Sequence, residues 1–216
     1  MTSLNFSQQS GVFDRAAARP VTVIGAGSVG SQVVVQLAKI GVTGITVYDG
    51  DYVESHNIPM SAYRVGDLGR LKVAALEAIV LEQSDLRIAA VPRMFQRERL
   101  AGSVVACVDS MEARRLIWDQ VKMNPNVDIL VDTRTAAELI SVFAVNPCDP
   151  EDIAYYEHFL YPSSQASRLM CGLHGIIYAS AVAASAVCAN LTNKWSQGRM
   201  RRHFQMLVGE LESVGQ

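Results

Sequence analysis

The feature that most constrains this chain is a short β-branched run that ends directly on a glycine turn. Val21-Thr-Val-Ile24 passes without a spacer into Gly25-Ala-Gly-Ser-Val-Gly30. Val29, Val33, Leu37 and Ile40 then recur at helical spacing, and Gly41 stands where such a helix would stop. A buried strand, a tight turn and a helix in that order form the first half of a βαβ unit. Each glycine has its own task. Gly25 permits the tight turn, Gly27 lets the backbone come close to a phosphate, and Gly30 lets strand and helix pack closely. The helix N-terminus presents unpaired N–H groups to an anion. Ile45-Thr-Val-Tyr48 is the next strand and ends on Asp49, which is placed to accept hydrogen bonds from ribose hydroxyls. These features point to an adenine nucleotide and do not separate NAD from ATP.

The pattern continues as alternating helices and strands. Arg70 to Gln83 reads as a helix with Val73, Leu76 and Val80 on one face. Leu86 to Val91 and Val104 to Val108 read as strands, and Ser110 caps a helix that runs to about Val121. Ile129 to Val131 and Leu139 to Val145 are two further strands. The expected fold is therefore α/β: a Rossmann-like, doubly wound, mostly parallel sheet. Residues 146–170 break the pattern. Pro147, Pro150 and Pro162 interrupt them, and Tyr155, Tyr156, Phe159 and Tyr161 form an aromatic group. They read as a long crossing loop with one helical turn at most, whose aromatics either cover the sheet edge or meet a partner. Leu173 to Leu191 is apolar but rich in Ser and Ala, so it reads as a C-terminal buried helix rather than a membrane span. Arg199, Arg201 and Arg202 read as a solvated helix face.

Composition narrows the function. A chain of 216 residues, 50% hydrophobic, suits one domain over 1–216, with residues 1–19 as an N-terminal arm. With 19 basic and 21 acidic side chains it has no global attraction to nucleic acid or to an acidic membrane. The first residues lack a basic-then-apolar pattern, so no secretory signal is expected. Cys107, Cys148, Cys171 and Cys188 contain no CxxC pair, and they are expected to be reduced thiols in a cytoplasmic protein.

Three further segments carry a resemblance. They are Asp49-Gly-Asp-Tyr-Val-Glu-Ser-His-Asn57, Val65-Gly-Asp-Leu-Gly-Arg-Leu-Lys72 and Val108-Asp109-Ser-Met-Glu-Ala-Arg114. From about Val21 to Val145 the chain resembles the ThiF/MoeB/HesA family, the prokaryotic relatives of the ubiquitin-activating enzymes. The likeness resumes at Cys171-Gly-Leu-His-Gly-Ile. It implies that Asp49 holds the ribose, Asp51 lies near the phosphates, Asn57 contacts the triphosphate, Lys72 neutralises phosphate charge and Asp109 holds Mg²⁺. The chemistry is consistent with those roles. Attack on an α-phosphate spreads negative charge over oxygens and calls for a cation and a metal-binding carboxylate.

The implied reaction is ATP-dependent adenylation of the C-terminal carboxylate of a small ubiquitin-like or sulfur-carrier protein. A homodimer is also implied, with the alanine-rich last helix near the subunit interface. Cys171 aligns with a cysteine that some members use to carry a thioester or persulfide, and a plain structural cysteine is the competing reading. The chain departs from the family at Met60 and Ser61, where Arg and Gln are usual, and it lacks the Arg-Tyr-x-Arg-Gln motif of the N-terminal arm. Arg64, one helical turn beyond Met60, is the expected replacement cation, and Arg15 reaching a partner subunit is the second choice. Two alternatives stand beside this reading. A nicotinamide-dependent oxidoreductase gives Lys72 and Asp109 no task, and a catalytically weak binding subunit would explain Met60 and Ser61.

Overall fold

The computed structural model describes residues 4–161 and 175–215. Eight strands form one sheet in the order β3-β2-β1-β4-β5-β6-β7-β8. They are β1 (Val21–Ile24), β2 (Ile45–Tyr48), β3 (Ala89–Val91), β4 (Gly102–Ala106), β5 (Val127–Ala136), β6 (Leu139–Val145), β7 (His203–Leu207) and β8 (Glu212–Gly215). The first five strands are parallel and the last three add antiparallel. The helices are α1 (Ser28–Lys39), α2 (Lys72–Ser84), α3 (Met111–Val121), α4 (Pro150–His158) and α5 (Ile177–Gln197).

Strand alternation sends side chains to two separate cores. Val21, Val23, Ile129, Val131, Ile140 and Val142 face α1, α2 and α5. Ile24, Val104, Leu130, Phe143 and Val145 face α3 and α4. Each face is covered by helices, which is what a sheet with β-branched runs on both sides requires. Strand β1 has β2 on one side and β4 on the other. The chain order therefore reverses at β1, and the crevice beyond the carboxyl end at such a switch point is where open α/β sheets bind ligands.

Several small residues of α5 pack within the chain. Ala179, Ala183 and Ala184 are buried in the core shared with α1 and the sheet, while Ala181 and Ala186 are half-buried and Ala189 is exposed. No described helix is long and apolar enough to cross a membrane.

Two expectations need correction. The crossing loop contains a nine-residue helix, α4, where one turn at most was expected. Pro150 opens it at a position where the missing N–H costs nothing, and the Asp149 carboxylate accepts from Glu151 N–H at 2.8 Å and Asp152 N–H at 3.3 Å. The arginines after α5 do not lie on a helix face. Gly198 ends α5 with a left-handed φ of 67°, and the chain turns into the unforeseen β7–β8 hairpin.

Helix α4 and strand β7 hold each other. Arg202 Nε donates to Asp152 at 2.7 Å, and the other oxygen of Asp152 accepts from Asn146 N–H at 2.8 Å. His203 stacks on Phe143 at 4.0 Å and lies between the Ser141 hydroxyl at 2.8 Å and the Tyr155 hydroxyl at 2.9 Å. Burial, with Arg134 nearby, lowers its pKa, so the ring is neutral near pH 7.

These contacts generate a paired test. Asp152→Ala should lower the unfolding free energy by about 1.5–3 kcal/mol, because a part-buried N–H and a guanidinium lose the carboxylate they share. Glu151 lies 3.6 Å from the same guanidinium but is 86% exposed, so Glu151→Ala should change stability by less than about 0.5 kcal/mol. Urea midpoints of the two variants measure both.

Candidate functional site

The glycine turn sits at the crevice, and its three glycines are not equivalent. A Cβ on Gly25, whose φ is +94°, would lie 2.3 Å from the Cys107 carbonyl oxygen. A Cβ on Gly30 would lie 1.9 Å from the Gly25 carbonyl oxygen. Both positions are closed to any side chain by the protein itself. A Cβ on Gly27 meets no protein atom within 4 Å. Gly27 caps α1 and faces open space, where a ligand can approach the backbone.

Between Gly25 and Gly27, the Ala26 peptide groups are pinned from both sides. Ala26 N–H donates to Asp49 Oδ2 at 2.7 Å, and Ala26 C=O accepts from the Tyr63 hydroxyl at 2.6 Å. Tyr63 is buried, and burial together with the negative charges of Asp49, Asp67 and Asp51 raises its pKa far above the ordinary value. It remains a neutral hydroxyl at any working pH, fit to donate to a carbonyl. Sequence reasoning missed Tyr63. A tyrosine two residues beyond Ser61 carries no motif, and only the return of the 55–63 segment to α1 brings it to the turn. That return rests on Ser31, buried in α1, whose hydroxyl accepts from Ala62 N–H at 3.1 Å.

Asp49 is buried and uses its second oxygen to accept from Asp51 N–H at 2.8 Å. Asp51 in turn ion-pairs with Lys72 Nζ at 2.8 Å, and its carbonyl accepts from Lys72 N–H at 2.9 Å. A continuous relay thus runs from the glycine turn through Asp49 and Asp51 to Lys72 at the first position of α2. The Lys72 side chain is 11% exposed and that of Asp51 53% exposed. A pair with one partner in water contributes about 0–1 kcal/mol, so a more highly charged anion can compete for the ammonium.

Asp109 is exposed on the loop between β4 and α3, at the same carboxyl edge. Ser110 caps α3 as expected, its hydroxyl accepting from Ala113 N–H at 3.2 Å. Asn57 is half-buried, and its Oδ1 accepts from Glu54 N–H at 2.9 Å, closing the 3₁₀ turn Ser55–Met60. Among the described residues no three His, Cys, Asp or Glu side chains gather into a metal cluster. A Mg²⁺ ion held by one carboxylate and substrate phosphates needs no such cluster.

The expected placement of Arg64 is not what forms. The 3₁₀ turn ends at Met60, Ser61 is extended at φ −135° and ψ −175°, and no helix carries Arg64 onto the face of Met60. Arg64 instead bonds to Glu82 on α2 and to Asp67, with Nε 3.3 Å from the Asp67 carboxylate. These hydrogen bonds to Glu82 and Asp67 hold its pKa up. Arg15 lies over the Phe6 ring at 3.9 Å and near Gly41, at the far end of α1 from the glycine turn. Cys171 lies outside the described residues. Cys107, beneath the turn, is a half-buried residue, and desolvation of its thiol pushes the pKa up to about 12. The shallow depression of about 470 Å³ lined by Gln96, Arg97, Glu98 and Leu116 includes none of the glycine turn, Lys72 or Asp109.

Among curated proteins none matches the chain. Among solved structures, PaaA aligns with a TM-score of 0.73 at 17% identity, covering 94% of this chain and 64% of that one. MccB of E. coli in its structure with ATP aligns with a TM-score of 0.70 at 16% identity, covering 94% of this chain and 65% of that one. MccB in its structure with AMPCPP and MccA gives a TM-score of 0.69 at 15% identity, covering 94% of this chain and 64% of that one. The chain therefore spans a little under two thirds of the length of the structures it matches, and the likeness is one of fold. The family model is more specific: the ThiF family model matches residues 6–210, nearly the whole chain, and by that match, with the glycine turn, Lys72 and Asp109 at one sheet edge, this protein belongs to the ThiF family.

Proposed function

We propose that the chain binds ATP with Mg²⁺ at the carboxyl edge of its parallel strands and adenylates a carboxylate. The observation that carries this reading is the relay from the glycine turn to Lys72. It delivers an exchangeable ammonium to the mouth of a turn whose central glycine faces open space. In the reaction, a carboxylate oxygen bonds to the α-phosphorus of ATP. The bond from that phosphorus to the bridging oxygen breaks, and pyrophosphate leaves with the electron pair. The backbone at Gly27 and the N-terminus of α1 hold phosphate oxygens, and Lys72 exchanges Asp51 for phosphate. Asp109 would hold the metal, which would shield phosphate charge. Asp49 has lone pairs left for a ribose hydroxyl, and Asn57 is assigned to the triphosphate.

The acceptor is the C-terminal carboxylate of a small ubiquitin-like or sulfur-carrier protein, or of a peptide. The pairing of MccB with MccA in the solved structures supports a polypeptide acceptor. A homodimer in the cytoplasm completes the proposal, and Cys171 is the residue to test for a covalent intermediate. A second reading is favoured by one observation. Arg64 is engaged by Glu82 and Asp67, so nothing among its contacts replaces the arginine missing at Met60. A nucleotide-binding subunit with weak or no transfer activity fits that arrangement.

Three measurements check these statements. Calorimetry should find ATP with Mg²⁺ bound and NAD weak, and tight NAD binding without ATP binding would remove the adenylation reading. Lys72→Ala and Asp109→Ala should each lower pyrophosphate exchange by at least about 10²-fold, a transition-state loss of roughly 2.7 kcal/mol, with the fold intact. ATP binding with no exchange in the wild type, whatever carboxylate acceptor is supplied, would select the weak subunit.

The glycines separate binding from folding. Gly27→Ala should change stability by less than about 1 kcal/mol yet weaken ATP binding, whereas Gly30→Ala should unfold or severely destabilise the chain. Equal loss of stability in both would contradict the open approach at Gly27. Light scattering at micromolar concentration checks the dimer, and a monomer there counts against it. Unchanged turnover by Cys171→Ser would leave that thiol without a part in the reaction.

A further inference from the structure

A buried guanidinium holds the loop that carries Asp109 on both sides of that residue. Arg114 lies in the first turns of α3 and is 6% exposed. Its Nη1 donates to the Ser110 carbonyl at 3.3 Å, and its Nη2 donates to the Val108 carbonyl. Those two carbonyls flank Asp109 on either side. Nη2 also donates to the Thr133 carbonyl at 2.8 Å, and Nε donates to Asp132 Oδ1 at 3.0 Å. Asp132 is wholly buried in β5. Its other oxygen accepts from Arg134 Nε at 2.9 Å and from the Tyr156 hydroxyl at 3.1 Å. The loop is thereby fastened through one side chain to the middle of the sheet, while Asp109 itself stays exposed.

We infer that Arg114 is a positioning residue for Asp109, with Asp132 as its anchor. The inference rests on the proposed role of Asp109 as metal ligand. The planar guanidinium offers five donors in a fixed fork, and four of the bonds described here use that fork. A lysine at this position keeps the charge and can reach Asp132, but it cannot span Val108, Ser110 and Thr133 together. The effect on chemistry follows from geometry. A misplacement of about 1 Å in a catalytic group costs on the order of 10²-fold in rate. Arg115, the next residue, holds a different place: it donates to the Leu160 carbonyl at 2.8 Å and not to the Asp109 loop.

The test uses Arg114→Lys in the full chain, with Arg115→Lys as control. In the wild type, backbone order parameters at residues 108–110 should match those of α3, about 0.85, although Asp109 is exposed. Values below about 0.6 there would overturn the inference without any variant, so a variant that fails to fold does not protect it. In Arg114→Lys the same residues should lose order. Pyrophosphate exchange should fall at least about tenfold in kcat, with KM for ATP little changed and the Mg²⁺ concentration for half-maximal rate raised several-fold. A merely structural arginine would lower the thermal midpoint and leave the Mg²⁺ requirement where it was, and that result overturns the inference. Arg115→Lys should change neither loop order nor Mg²⁺ requirement, and an equal effect from it also overturns the inference. Wild-type exchange by Asp109→Asn would overturn the role of Asp109, and this inference with it. An unchanged Arg114→Lys loop, beside an inactive Asp109→Asn, would overturn this inference alone.

Discussion

The backbone around Ala26 is where the constraints of this molecule meet. One of its peptide groups is claimed by the Asp49 carboxylate just beyond β2 and the other by a neutral phenol from the segment after it. Without both, a turn containing two glycines would have many backbone states, and the anion-binding end of α1 would lack a fixed mouth. Hydrogen bonds to a charged partner contribute about 1.5–3 kcal/mol, enough to hold one state of a short loop. The same carboxylate also orders Asp51 and, through it, Lys72. The strand, the turn and the lysine-bearing helix are thus one mechanical unit. Asp49 would have to serve that unit and a ribose together.

The second centre of order is buried charge. Asp132 has two arginines and a tyrosine hydroxyl on it, and the positive groups outnumber the negative one. Burial opposes the charge on Arg134, but Asp132 and Tyr156 hold its pKa up. Arg134 also stacks on Phe143 at 4.6 Å and donates to the Phe159 carbonyl at 2.8 Å, which ties the end of α4 to the same carboxylate. Breaking such a pair by removing one partner typically costs about 3–5 kcal/mol, far more than any exposed pair in the chain. The two faces of the sheet are therefore stabilised differently. The α1, α2 and α5 side carries the larger apolar cluster, while the α3 and α4 side is threaded by a buried charge network.

Much of this was legible in the sequence where local pattern and global fold agree. The β-branched runs of β1 and β2, the glycine turn and the Ser110 cap each carry a strong local signal and fall where they were expected. The misses have separate causes. Pro150 reads as a break, yet at the first position of a helix it is a start. Strands β7 and β8 carry no β-branched run, and His203 and Arg202 look solvent-facing until Phe143 and Asp152 are placed opposite them. Arg64 was assigned by helical spacing, but the turn before it closes at Met60 and Ser61 is extended. Tyr63 and Asp132 act through residues distant in the chain, a relation that one sequence does not display.

The Asp132 network has a consequence for how chains of this kind can diverge. Replacement of Asp132 on its own leaves two guanidinium groups uncompensated in a dry interior, and replacement of Arg114 or Arg134 takes the charged donor from one of its oxygens and from at least one backbone carbonyl, so each single step passes through a destabilised molecule. Apolar replacement of the whole set at once can be neutral or even stabilising. These positions are therefore expected to drift as a block. A relative keeps the carboxylate with both guanidinium groups, or it has an apolar patch in their place and must order the loop after β4 by other means. Coupled change among three positions in β5 and α3 would mark the first kind of lineage in an alignment, with no reference to what the protein binds.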